Sequence, residues 1–165
     1  MALARTGETA QSKTILEALQ KSDPTNTYLK VYWFPALEAS IYLAQQAPDR
    51  AIVALEPSLP YELGSPPPGG SGTIYPAYIR GLAYLAQKNG PAAAAEFQKF
   101  PDHAGIVQNF LLGSLARLQL ARAYVLSGDA AKAKAAYQDF LTLWKDADPD
   151  IPILKQAKAE YAKLQ

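Results

Sequence analysis

The chain has no cysteine and a single histidine among its 165 residues. Without thiols there is no disulfide, no thiolate nucleophile and no cysteine-ligated metal. One histidine, His103, supplies neither a metal set nor an acid–base–nucleophile triad. Neither sign of charge prevails: Lys+Arg 16 against Asp+Glu 15 leaves a net charge of +1. Such a balance removes the electrostatic case for nucleic acid or an anionic membrane surface. No run of about eighteen apolar residues occurs, and the segment 1–7 has no apolar signal core. Strand signals are negligible. These absences predict a protein that is not an enzyme, with no catalytic residue, no metal and no cofactor. They also predict a cytoplasmic protein with neither nucleic acid nor membrane as partner.

What is present favours a folded chain, with 49% hydrophobic and 19% charged residues. Helical periodicity dominates. It predicts helices over 8–21, 28–46, 77–88, 91–100 and 130–146, a shorter one between Pro48 and Pro57, and one that ends at Ser127. Pro35 either kinks its helix or marks the true first turn. The stretch 101–106 (PDHAGI) is read as a break. Gly128-Asp129 is a stop-and-start pair: glycine supplies a left-handed residue and aspartate caps the next helix. Asp150 is expected to cap the last helix, with Pro152 in its first turn.

Residues 81–100 match 121–140 at a constant offset of forty. Six pairs are identical: Ala83/Ala123, Tyr84/Tyr124, Ala93/Ala133, Ala95/Ala135, Gln98/Gln138 and Phe100/Phe140. A fixed period implies a stack of like units. The spacing of small and aromatic residues follows the tetratricopeptide (TPR) pattern, a small residue and Tyr in one helix followed by A-x3-F in the next. Leu120, Ala121 and Tyr124 precede Ala133 and Tyr137. Gly81 and Tyr84 precede Ala93 and Phe97. Ala39 and Tyr42 precede Ala51 and Leu55. The small residue lets paired helices close up, and the aromatic fills the gap toward the next pair.

On these residues the chain resembles the TPR family. It departs from the pattern at the leading Trp, replaced by Pro35, Ala77 and Arg117, and in its longer period. The resemblance implies an all-α fold, an α-solenoid of antiparallel helix pairs closed by a capping helix, in one domain. Its expected parts are a partial repeat at 1–24, a repeat at 28–57, a Pro/Gly-rich insertion at 57–76, repeats at 75–101 and 106–147, and the cap at 151–164. Residues 3–8 align with 124–129, which places Met1 inside the first helix of a repeat and leads us to expect the C-terminal part of a longer array. The segment 121–165, with the PYELGSPPP insertion, is similar to C-terminal TPR regions of large bacterial signalling proteins. Such regions follow a eukaryotic-like Ser/Thr kinase or a winged-helix domain.

TPR arrays bind peptides in a groove lined by the first helices of successive pairs. Placed on that geometry, Trp33 and Ser40, then Tyr75, Tyr78 and Leu82, then Leu118 and Arg122 line the groove. The expected partner is a peptide or helix of apolar or mixed character. The dicarboxylate clamp of chaperone-binding members is absent, because Ala36, Ser40, Tyr78 and Leu82 occupy its positions. A second expectation is self-assembly through the edge at 1–19. Pro66-Pro67-Pro68 and Gly69-Gly70 are read as a linker, since no Lys-Ser/Thr pair follows the glycines and no basic residue flanks the prolines.

Overall fold

A computed structural model describes residues 2–64, 74–108 and 110–164. The described residues are helical and contain no strand. In chain order the helices are α1 (Ala2–Arg5), α2 (Thr9–Ser22), α3 (Phe34–Ala44), α4 (Pro48–Ala54), α5 (Tyr75–Ala86) and α6 (Gly90–Asp102). They continue as α7 (Ala104–Val107), α8 (Leu111–Leu126), α9 (Ala130–Leu143) and α10 (Pro152–Ala162). Helix α3 packs on α4, α5 on α6, and α8 on both α6 and α9, while α10 rests on α9.

The same turn recurs at four places. Gly7, Gln46, Lys88 and Gly128 all have positive φ, between 58° and 92°. In each case the following N–H reaches back five residues: Glu8 to Leu3, Ala47 to Tyr42, Asn89 to Tyr84 and Asp129 to Tyr124, at 2.9–3.0 Å. This double-bonded left-handed ending satisfies the last carbonyls of a helix and reverses the chain within three residues. Asn89 and Asp129 then cap α6 and α9 by accepting from the N–H groups of Ala92 and Lys132. The expected Gly128-Asp129 punctuation is therefore present.

Alanine makes the close crossings. Ala39 and Ala51 are fully buried between α3, α4 and α5, as are Ala93, Ala123 and Ala133 farther along. One apolar core spans α5 to α10. A smaller one joins α3, α4 and α5, and a third, of Ala4, Leu16, Phe34 and Ile41, holds α1 and α2 to α3.

Four details differ from the sequence expectations or decide between them. Pro35 lies in the first turn of α3, preceded by a π-helical turn at Leu29–Trp33 in which the N–H of Phe34 bonds the carbonyl of Leu29. That wide turn absorbs the hydrogen bond the proline cannot make. Helix α6 runs through Pro101 to Asp102, and α7 follows at once, where a break was expected. In the last turn a proline removes one bond from a helix already ending. Asp150 does not cap α10: its carboxylate takes Lys155 at 2.6 Å, and Ile151 precedes the helix. The insertion begins as ordered turns rather than a loose linker, with Glu56–Ser58 forming a 3-10 turn and Ser58 buried. The prolines and glycines at 66–70 lie outside the described residues.

Candidate functional site

A concavity of about 540 Å3 opens between α3 and α5. Ser40, Leu43 and Ala44 line it from α3, and Tyr75, Tyr78, Ile79 and Leu82 from α5. Ala4 and Leu112 also line it, with Gly7 and Gln46 contributing their turns. Among the described residues no charged side chain lines it. The Ser40 hydroxyl donates to the Ala36 carbonyl at 2.8 Å, which leaves its oxygen as an acceptor.

The start of α5 is held by an unusual backbone. Ile74 has φ 71°, a left-handed conformation that β-branched residues avoid. The next N–H, of Tyr75, donates to the Tyr32 hydroxyl at 3.1 Å. Burial pushes the Tyr32 phenol well above the ordinary tyrosine range, although the Tyr75 bond works against it. Tyr32 thus stays a neutral hydroxyl fixing the orientation of Tyr75. Around it, Tyr28, Trp33, Tyr75 and Phe110 form a chain of ring contacts with centroids 5.3–6.5 Å apart.

Of the seven residues placed in the groove by sequence, Ser40, Tyr75, Tyr78 and Leu82 share this cavity. Trp33 stands beside it, its ring 5.6 Å from that of Tyr75. Leu118 is fully buried in the main core and reaches no open surface. Arg122 is committed elsewhere. Its Nε and Nη2 donate to the two carboxylate oxygens of Glu160 on α10, each at 2.8 Å, and the Tyr137 hydroxyl adds a third bond at 2.8 Å. His103 holds the Lys99 carbonyl at 2.9 Å through Nδ1.

The Arg122–Glu160 pair makes the docking of α10 sensitive to acid. Burial works to raise the Glu160 carboxyl, but the bonds from Arg122 and Tyr137 and the Arg122 charge outweigh it. The group is held below the ordinary carboxylate range. A depressed carboxylate adds stability above its unfolded pKa and forfeits it as pH falls through the folded value. The fall in melting temperature between about pH 7 and pH 3 should therefore shrink in Glu160→Gln. An unchanged fall would show that other carboxylates dominate the acid response.

Sequence reasoning missed a second polar centre. Glu62, in the insertion, is only 3% exposed, and Arg80 on α5 only 4%. Arg80 Nη2 lies 2.5 Å from Glu62 and 2.9 Å from Glu96 of α6, and Lys99 bridges both carboxylates at 2.8 Å. Burial opposes the Arg80 charge, and the two glutamates more than offset it. A glutamate flanked by tyrosine, leucine, glycine and prolines reads as solvated surface. Its only signal is the lone unpaired arginine inside the otherwise apolar α5. The cluster joins two positive to two negative charges and ties the insertion to the α5–α6 pair.

No described helix is long and apolar enough to cross a membrane. Comparison of the chain with family models, with curated proteins and with solved structures finds no match.

Proposed function

We propose that the chain is a TPR-like α-solenoid acting as a protein-interaction module, which receives an apolar peptide or helix in the cavity between α3 and α5. The observation that carries this reading is the convergence of Ser40, Tyr75, Tyr78 and Leu82 on one uncharged concavity. The repeat reading draws support from the four equivalent turns, spaced by about forty residues. A preformed pocket with aromatic and aliphatic walls suits an anchoring apolar side chain and leaves little to be ordered on binding. With Arg122 engaged by Glu160, a partner's carboxylate finds no cation among the described residues that line the cavity. The likeness of the segment 121–165 to C-terminal regions of bacterial signalling proteins makes the module a regulatory part of such a protein in this reading.

A photo-crosslinking residue placed at Leu82, half-buried on the cavity wall, should trap a protein partner in cells of the source organism. The same residue at the exposed Val125 should not. Equal trapping at both positions would remove the cavity as the binding site. Self-assembly is a second reading, favoured by the exposure of Ile15 and Leu19 on α2. It requires a mass that rises with concentration in sedimentation and falls back in Ile15→Lys.

A further inference from the structure

The ion pair between Arg122 and Glu160 lies beside the cavity between α3 and α5. Tyr78 makes the connection: it lines the cavity and is close enough to bear on the Arg122 charge. Burial opposes that charge, the bonds to Glu160 outweigh the burial, and the hydroxyls of Tyr137 and Tyr78 add to it. Glu160 supplies the one carboxylate within ion-pair distance of Arg122 among the described residues.

This pair differs in kind from the one between Arg80 and Glu62. There the side chains are 5% and 3% exposed, and nothing outside reaches them. Arg122 and Glu160 keep 26% and 32% of their side-chain surface. A pair open to water is worth little net, so one carboxylate can replace another on the same guanidinium. The fork suits such an exchange, because Nε and Nη2 already take the two oxygens of a single carboxylate at 2.8 Å each. Helix α10 does not depend on this pair alone. Leu154 and Ala157 are buried in the main core, and the Tyr161 hydroxyl accepts from Gln138 at 2.8 Å.

We propose that Glu160 is a built-in competitor, holding Arg122 against a carboxylate on the peptide or helix that enters the cavity. The inference rests on the cavity reading given above and adds the partner's chemistry, an acidic side chain next to its apolar anchor. With Glu160 displaced, Arg122 is a cation without an anion and selects for that acid. Glu160 is tethered beside the guanidinium and so competes at high local concentration. A free carboxylate loses to it, whereas one delivered by a segment already seated in the cavity competes on equal terms. An apolar segment without the acid is indifferent to Glu160, which separates the two cases.

Photo-crosslinking at Leu82 reads the competition in cells. Glu160→Gln should raise the yield of trapped partner about fivefold, the factor that one half-exposed ion pair corresponds to. Adding Arg122→Gln should cancel the gain, because the place for the acid is then gone. Acetate is the second probe, titrated into the purified full chain. It should shift the Arg122 Nε–H resonance saturably in Glu160→Gln and need at least about fivefold more in the parent. Equal trapping by the parent and Glu160→Gln would overturn the proposal and leave the cavity as the binding site. So would a gain that survives Arg122→Gln, and the pair would then be only a fastening for α10. Acetate that leaves Arg122 unmoved in Glu160→Gln overturns it as well. Trapping at Leu82 in none of the backgrounds removes the cavity reading, and the proposal with it.

Discussion

Glu62→Gln should destabilise the protein by about 3–5 kcal/mol, the range expected when one partner of a buried ion pair is removed. The substitution keeps the shape of the side chain and deletes one negative charge from a neutral group of four. Arg80 and Lys99 are then left to share Glu96 alone. Arg80 is only 4% exposed and its Nε and Nη1 already lack partners among the described residues, so water reaches the surplus charge mainly through Lys99, 26% exposed at its side chain. Urea denaturation reads the change directly as a shift in midpoint. Asp150→Asn supplies the comparison, because it breaks the exposed pair with Lys155 and should change stability by about 1 kcal/mol or less. If Glu62→Gln proved as mild as Asp150→Asn, the insertion would not be anchored by this network. Replacing all four charged residues with apolar ones of similar volume should be better tolerated than Glu62→Gln alone, since no buried charge is then left uncompensated.

The second large effect concerns Gly81 and Phe97. Phe97 is fully buried and meets Tyr78 edge-on, with ring centroids 5.6 Å apart. A Cβ placed on Gly81 would lie 2.6 Å from the tip of the Phe97 ring and 2.8–2.9 Å from its neighbouring carbons. The ring cannot withdraw, because Tyr78 and the rest of the core surround it. Gly81→Ala should therefore destabilise by about 1–3 kcal/mol, although alanine is the better helix former by about 1 kcal/mol. Phe97→Ala should be worse, at about 3–5 kcal/mol. The two positions must also couple. Gly81→Ala with Phe97→Leu should lose clearly less than the sum of the two single changes, since the shorter side chain makes room for the methyl group. Strict additivity would mean that the helices do not approach as described. The closeness is a matter of volume: glycine on α5 is the space that phenylalanine on α6 fills.

Helix positions were largely legible in the sequence because they follow local rules. The repeated pairs Ala83/Ala123, Ala93/Ala133 and Phe100/Phe140 mark buried faces at an offset of forty, and Gly128-Asp129 announces its turn. The equivalent turns at Gln46 and Lys88 were silent, since ordinary side chains there take the left-handed conformation and leave no glycine to read. Four of the residues expected in a groove share one cavity, because they recur on one face of successive helices. Leu118, expected on the same face, lies in the core with none of its surface exposed. Arg122 was lost to the groove through a partner 38 residues away. Glu62 is the same lesson in a stronger form. Pairings between distant charges depend on where the chain returns, which neither periodicity nor composition encodes.

The unequal cores give the molecule a gradient of cohesion along its length. Helices α5 to α10 share one large apolar core, whereas α1 and α2 hang on a cluster of four buried residues with Phe34 and Ile41. Helices α1 and α2 should therefore open at lower free energy than α5 to α10, and the two parts need not open together. The cavity between α3 and α5 straddles that divide, touching Ala4 and Gly7 on the weak side and Leu112 on the strong one. An occupant there acts as a clasp. Its binding energy would go to the part held by the smaller core and tie it to the larger one.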